Sequence, residues 1–168
     1  MTYISSDTNV WIDFLLIDSM ELPFRLPYTF IMSEEAIEDE LLSPPGLAEQ
    51  LVSFGLESVE ITIEEFLLAD EYGNRYKRLS VYDRIALAIA KCRSITLLTG
   101  DKALRNAAKQ ESVNIIGTLG IIDELLNYSM ITMKEYETCL RKLQVKNGKG
   151  IRLPEAEIRS RLQKTTDN

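Results

Sequence analysis

Short β-rich runs alternate with helical patterns along the chain, and this alternation limits the possible folds more than any other feature of the sequence. The runs that are rich in β-branched and aromatic residues, and are predicted to be strands, are 2–6, 28–32, 59–63, 94–99 and 113–118. The helical patterns are 8–19, 34–42, 47–55, 64–71, 81–92, 102–110, 119–129, 133–144 and a last helix that begins near Pro154. Strands that alternate with helices form βαβ units, so we predict an α/β fold with a mostly parallel sheet covered on both faces.

Local capping and breaking signals predict several helix ends. Ser33, Ser80 and Thr132 each precede a helical pattern and are predicted to be N-caps. The Gly73-Asn74 pair is predicted to end the helix that starts at residue 64.

The sequence contains no histidine, which excludes several kinds of active site. A Ser-His-Asp site, a Cys-His site and a His-ligated zinc are all excluded. Acid–base chemistry would have to come from carboxylates, Lys, Tyr or a metal-bound water. Cys92 and Cys139 lack metal-type spacing and lie in apolar helical patterns, so we expect buried free thiols in a reducing cytoplasm. No apolar run approaches the roughly 18 residues that span a bilayer, and no signal peptide is evident.

Net charge is unevenly distributed along the 168 residues. Residues 1–140 carry a net charge of -12, whereas residues 141–168 carry +5. A basic tail on an acidic body indicates contact with an anionic partner or with the body itself, although a solvated basic helix is an equal alternative. We expect residues 1–130 to form the main domain and residues 131–168 a basic helical extension packed on or beside it.

Two acids follow predicted strands. Asp7 comes directly after the first strand, and Asp101 comes one residue after the buried strand ITLLT. Ligands of parallel α/β sheets bind outside the carboxyl ends of the strands, so both acids are candidate site residues. Either acid alone is also explained as a helix N-cap.

Two further acids lie on or near the apolar sides of helices. Glu40 shares a helix face with Ala36 and Ile37, where a carboxylate needs a partner, or it extends to solvent at the helix edge. Asp83 opens an apolar helix, and its spacing from Ser80 also fits a capping box. Gathered carboxylates are what Mg²⁺ or Mn²⁺ needs in a site that cleaves phosphodiesters.

Several segments, in chain order, resemble the motifs of PIN-domain ribonucleases. The segment SDTNVWIDFL resembles the first motif, AIEDELL the helix with the second acid, LSVYDRIALAIAK the third motif and ITLLTGDKALR the fourth. VNIIGTLGII and the segment YSMITMKEYETCLRKLQVKNGKGIRLPEAEIRSRL resemble one PIN subgroup, the predicted nucleic-acid-binding proteins akin to VapC toxins. The resemblance covers nearly the whole chain.

This resemblance implies a three-layer α/β/α fold and a Mg²⁺- or Mn²⁺-dependent endoribonuclease. It implies that the metal-binding acids are Asp7, Glu40, Asp83 and Asp101. It also implies that Asn9 and Thr99 support these acids. A toxin–antitoxin context, with a small antitoxin partner and a homodimer, follows from the same resemblance.

The third motif departs from the usual family pattern, which often reads Gly-Glu-Ala or Asp-Ala. Here it reads Tyr82-Asp83-Arg84, and Arg84 could pair with the acid or contact a phosphate. RNA affinity comes mainly from phosphate contacts by Lys and Arg, for which an acidic body is poor. Arg84, Lys102, Arg105 and the basic tail are therefore the candidate substrate-binding groups.

Two other functions remain open from the sequence. A PIN-like fold could serve as a nucleic-acid or protein binding module without cleavage. A phosphotransfer or phosphatase domain could use Asp7 as nucleophile. Haloacid-dehalogenase-like enzymes, however, need a second Asp two residues further on, where this chain has Asn9, and the neighbouring acids of a receiver domain are missing.

Overall fold

A computed structural model describes residues 1–167, in which strands and helices alternate along most of the chain. The strands are β1 (Thr2–Ser6), β2 (Tyr28–Ser33), β3 (Glu57–Val59), β4 (Thr96–Leu98) and β5 (Ile115–Ile116). The helices are α1 (Thr8–Leu16), α2 (Glu34–Glu40), α3 (Leu47–Phe54), α4 (Ile63–Arg75), α5 (Val81–Cys92), α6 (Lys102–Gln110), α7 (Thr118–Asn127), α8 (Met133–Lys146) and α9 (Glu155–Thr166). A short 3₁₀ turn covers Leu22–Arg25.

The five strands form one parallel sheet in the order β3-β2-β1-β4-β5. β1 therefore lies at the centre, between β2 and β4. Ser6, the last residue of β1, is in register with Leu98, the last residue of β4. The residues that follow β1 and β4 therefore leave the same edge of the sheet.

Side chains of the sheet point alternately into two hydrophobic clusters, because successive residues of a strand face opposite sides. Phe30 and Leu98 belong to the cluster that includes α1, α3, α7, α8 and α9. Ile31 and Leu97 belong to the cluster that includes α4, α5 and α6. Helices thus cover both faces of the sheet, which confirms the predicted three-layer α/β/α fold.

Two sequence predictions around α4 are wrong. The predicted strand 59–63 is β3 at Glu57–Val59, because a capping box between Thr62 and Glu65 starts α4 at Ile63. The break predicted at Gly73-Asn74 is absent, and α4 continues to Arg75. A Cβ on residue 73 would lie 2.0 Å from Nη1 of Arg84, so this glycine lets the arginine of α5 lie directly against α4.

Residues in the left-handed backbone conformation set the ends of several elements that are shorter than predicted. Asp18, with φ 53°, follows the end of α1 at Leu16, whereas the helix was predicted to reach residue 19. Ser94 and Ser112, with φ 54° and 58°, follow α5 and α6 and delay the starts of β4 and β5. A residue in this conformation does not continue a right-handed helix, so the boundary is set there.

The predicted N-caps are confirmed, and the two thiols differ. Ser33 accepts a hydrogen bond from the Ala36 amide, and Ser80 and Thr132 each form a capping box. Cys139 is buried as predicted. The prediction of a buried Cys92 is wrong, because this thiol ends α5 beyond the stretch that packs on the sheet and is exposed.

The C-terminal helices pack on the body of the chain. Tyr136 and Leu140 of α8 and Ile158 and Leu162 of α9 belong to the same hydrophobic cluster as α1 and α7. The division of the chain at residue 130 stays a prediction. No helix within residues 1–167 is long and apolar enough to cross a membrane.

Candidate active site

Asp7 occupies the N-cap position of α1, but its side chain does not cap the helix. The carboxylate oxygen Oδ2 instead accepts a hydrogen bond from Thr99 Oγ1 at 3.0 Å, across the sheet edge from β1 to the residue after β4. Only 5% of Asp7 is exposed. The capping explanation for this acid therefore fails, and its burial needs another reason.

Thr99 joins Asp7 to Asp101. Its hydroxyl donates to Asp7 and accepts the backbone N–H of Asp101 at 3.1 Å, and the residue is fully buried. Asp101 does act as a cap: its Oδ1 accepts the N–H of Leu104 at 2.8 Å. One oxygen of Asp101 is thus used by α6, and the residue lies half-buried at the sheet edge.

Glu40 is the last residue of α2 and faces the start of α1. Its Oε1 accepts a hydrogen bond from Thr8 Oγ1 at 3.0 Å. The sequence left open whether Glu40 finds a partner or extends to solvent. Its partner is the Thr8 hydroxyl, and within residues 1–167 it forms no ion pair. Asp7 and Glu40 are therefore held by hydroxyl groups rather than by cations.

Asp83 lies in the first turn of α5 and has a structural role. Its Oδ2 accepts the backbone N–H of Ser80 at 2.9 Å, which completes the capping box. Burial raises the pKa of Asp83, the Ser80 hydrogen bonds lower it, and the charge of Asp101 raises it. The capping interpretation is thus correct for Asp83, and the residue also interacts electrostatically with another acid of the set.

The electrostatics of the site are dominated by burial and by repulsion between carboxylates. Burial raises the pKa of Asp7 to about 7, with repulsion from Asp83 and Glu40 adding to the effect and the Thr99 hydrogen bond opposing it. Burial also raises the pKa of Glu40, against the Thr8 hydrogen bond and with repulsion from Asp83. The four acids therefore act on one another, and each gains from a cation placed among them.

The donor set fits a hard divalent cation in its chemistry. Mg²⁺ and Mn²⁺ take oxygen ligands, and a small cavity of about 10 Å³, at the lower limit of the space that admits one water, is lined by Asp7, Thr8 and Glu40. Within residues 1–167, no three acidic or thiol side chains are arranged to hold one ion. Because Mg²⁺ is often held by one or two carboxylates with waters and substrate phosphates, the set fits such an ion without a complete protein cage.

The other candidate residues lie around the acids rather than among them. Asn9 is exposed and makes no hydrogen bond to Asp7 in the described chain; Thr99 holds that acid. Arg84 lies along α5, where its Nε donates to the carbonyl of Ser80. Lys102 is exposed at the start of α6, and Arg105 lies near Gly117 after β5.

Two residues outside the candidate set also contribute to this edge. Thr8 is the hydrogen-bond donor that fixes Glu40. Asp13, within α1, accepts a hydrogen bond from Thr118 Oγ1 at 2.7 Å, and burial raises its pKa to about 6. The signal for Asp13 was an acid inside the apolar run VWIDFLL, where it needed a partner from a distant element.

A parallel sheet between two helical layers, with carboxylates collected near the carboxyl ends of β1 and β4, defines a three-layer α/β/α domain with an acidic candidate site. A protein-family model described as a PIN domain matches residues 3–167, nearly the whole chain, so the chain belongs to the PIN-domain family. PIN domains are generally nucleases, which indicates a hydrolase of nuclease type. No curated protein and no solved structure matches the chain.

Proposed function

We propose that the chain is a divalent-metal-dependent endoribonuclease and the toxin of a toxin–antitoxin pair, in the VapC-like subgroup. The observation that carries the nuclease proposal is the state of Asp7. This acid is buried at a helix N-cap, does not cap, and has its pKa raised by burial and by two other carboxylates. Such an arrangement costs stability unless a cation binds it.

The acids and the hydroxyl of Thr99 have different tasks in this proposal. Asp7, Glu40, Asp83 and Asp101 would supply the negative charge of the site, and one or two of their carboxylates would hold each Mg²⁺ or Mn²⁺ ion together with waters and substrate phosphates. Such an ion, when bound, would polarise a phosphate and lower the pKa of an attacking water. Thr99 fixes the orientation of Asp7. Hydrogen bonds of this kind hold charged ligands in place before substrate arrives.

The test is a cleavage assay on a mixed RNA pool with wild type and the Asp7→Asn variant, each in Mg²⁺, in Mn²⁺ and in EDTA. The matched control is Asp70→Asn, which removes the same charge from an exposed side chain of α4. We expect cleavage by wild type and by the control, dependent on metal, and none by Asp7→Asn.

Two results would count against the proposal. Equal cleavage by wild type and Asp7→Asn would show that the activity does not come from this site. Cleavage that persists in EDTA would remove the metal from the mechanism.

A binding module without cleavage is the second candidate function. The observation in its favour is that no three potential ligands are clustered for one ion within residues 1–167. Binding of RNA without cleavage, in either metal and across the pool, would favour this alternative.

The toxin assignment rests on the sequence resemblance and needs its own test. Expression of wild type should arrest growth, and expression of Asp7→Asn should not. A small protein encoded beside the toxin gene should restore growth when it is co-expressed. The homodimer is tested by light scattering, and the cytoplasmic location stays a prediction.

A further inference from the structure

Two clefts share Asp101 and Lys102 in their linings. The first cleft, of about 410 Å³, is lined by residues of α1 and of the α8–α9 connection, among them Asn9 and Arg152. The second cleft, of about 450 Å³, is lined by the α4–α5 connection and by α6, among them Arg78. Because both clefts include Asp101 and Lys102, they form one path past the acidic edge of the sheet.

The cations that line this path have no partner within the described chain. These cations are Lys77, Arg78, Lys102 and Arg152, which are exposed and whose side chains make no ion pair and no hydrogen bond within residues 1–167. Many other arginines are neutralised by nearby acids. The paired ones are Arg75, Arg93, Arg141, Arg159 and Arg161. On a body with excess negative charge, cations left unpaired beside the acids are available for an anionic ligand.

Arg152 is placed by a connection that the chain itself fixes. The Asn147 side chain accepts the backbone N–H of Leu153 at 2.9 Å and donates to its carbonyl at 2.9 Å. Gly150 has φ 109°, and a Cβ there would lie 3.1 Å from a methyl of Leu16. Ile151 is fully buried. The segment is therefore held against α1, and Arg152 extends from it beside the first cleft.

The second cleft offers groups that suit a nucleobase. Tyr76 lines it, and its hydroxyl donates to Glu111 Oε1 at 2.5 Å, which fixes the ring. The amide side chains of Asn106 and Gln110 line the same cleft. An aromatic ring, amides and a nearby arginine are the groups with which proteins stack and hydrogen-bond unpaired bases.

We propose that these clefts are a binding track for a single-stranded RNA segment, with Arg78 and Arg152 contacting backbone phosphates in the two clefts that share Asp101. The proposal rests on the nuclease function proposed above and adds the route of the substrate. A single strand fits because Asp7 is recessed at the sheet edge, so the backbone must bend toward it. It fits also because the base edges near Asn106 and Gln110 must be unpaired to be reached.

The test is a binding assay in EDTA, so that cleavage plays no part. Fluorescence anisotropy of a labelled single-stranded oligoribonucleotide is measured across a salt series for wild type, Arg78→Gln and Arg152→Gln. Arg152→Lys keeps the charge, and Lys134→Gln removes an exposed, unpaired charge from α8, away from both clefts. Melting temperatures verify that every variant is folded.

We expect each glutamine variant of the track to bind about five-fold more weakly and to lower the salt slope by about 0.7, the value for one phosphate contact on a single strand. Arg152→Lys should keep the wild-type slope, and Lys134→Gln should match wild type. Four results would each overturn the track. Two concern the variants: both track variants bind with wild-type affinity, or Lys134→Gln loses as much affinity as they do. Two concern wild type: it binds a duplex more tightly than the single strand, or it does not bind the single strand at low salt.

Binding and cleavage separate the two proposals. Track-dependent binding without cleavage in Mg²⁺ or Mn²⁺ would refute the nuclease and keep the track. Metal-dependent cleavage by wild type, with track variants that bind like wild type, would keep the nuclease and refute the track.

Discussion

Replacing Asp7 by Asn should stabilise the metal-free protein at high pH. Burial raises the pKa of this carboxyl from 3.8 to about 7, so the folded state binds its proton more tightly than the unfolded state does. Stability is therefore lost as the pH rises from about 4 to about 7, and the loss is complete above that range. Each pKa unit is worth about 1.4 kcal/mol, which sets a ceiling of about 4 kcal/mol at pH 8.

We expect a gain of about 2 kcal/mol at pH 8, because relaxation of the site reduces the ceiling. Asn keeps an acceptor for the Thr99 hydroxyl and loses only the charge. The assay is urea unfolding in EDTA at pH 4, 6 and 8. The gain should fall toward zero at pH 4, where the carboxyl of wild type is neutral in the folded state.

The control for this experiment is Asp70→Asn, which changes an exposed acid of α4 and should shift stability by less than about 0.5 kcal/mol at every pH. An Asp7→Asn variant that is less stable than wild type at pH 8 would refute the reasoning. So would a gain of the same size at pH 4 and pH 8.

Three further predictions follow from the same contacts. In a thermal-shift assay Mn²⁺ should raise the melting temperature of wild type more than that of Asp7→Asn, and equal shifts would argue against a shared site. Arg93→Ala should lower the free energy of unfolding, measured in urea, by about 3 kcal/mol, because it leaves Glu65, only 2% exposed, without its cation. The control Arg159→Ala removes an exposed ion pair and should lower it by less than about 0.5 kcal/mol. Asp13→Asn should stabilise the protein by up to about 3 kcal/mol above pH 6, since burial raises the pKa of this acid to about 6; a gain that first appears above pH 7 would contradict that assignment.

Local sequence patterns were sufficient to predict most helices and strands, because the contacts that start these elements join residues only a few positions apart. The caps at Ser33, Ser80 and Thr132 could be predicted because each contact joins residues three positions apart. The break expected at Gly73 could not be judged locally, since its tolerance in α4 depends on Arg84 of another helix. Element ends such as Asp18 depend on backbone conformations that the side-chain pattern does not encode.

The sequence alone predicted which acids follow the strands, because strand and helix periods place Asp7 and Asp101 at one edge of a parallel sheet. It did not show which of these acids caps a helix and which has its carboxylate fixed by a hydrogen bond from a distant residue. That distinction came from Thr99, 92 positions away from Asp7. Its hydroxyl donates to the carboxylate of Asp7 and accepts the backbone N–H of Asp101.

The sequence by itself therefore determined the order of the elements, the parallel sheet and the acids at its edge, all of which follow from short-range periodicity and capping. The tertiary structure decided which carboxylate oxygens remain available and which arginines are unpaired. It also placed Arg152 and Arg78 in two clefts that both include Asp101. These properties depend on contacts between distant segments. Burial and repulsion among carboxylates exist only once those segments have packed together.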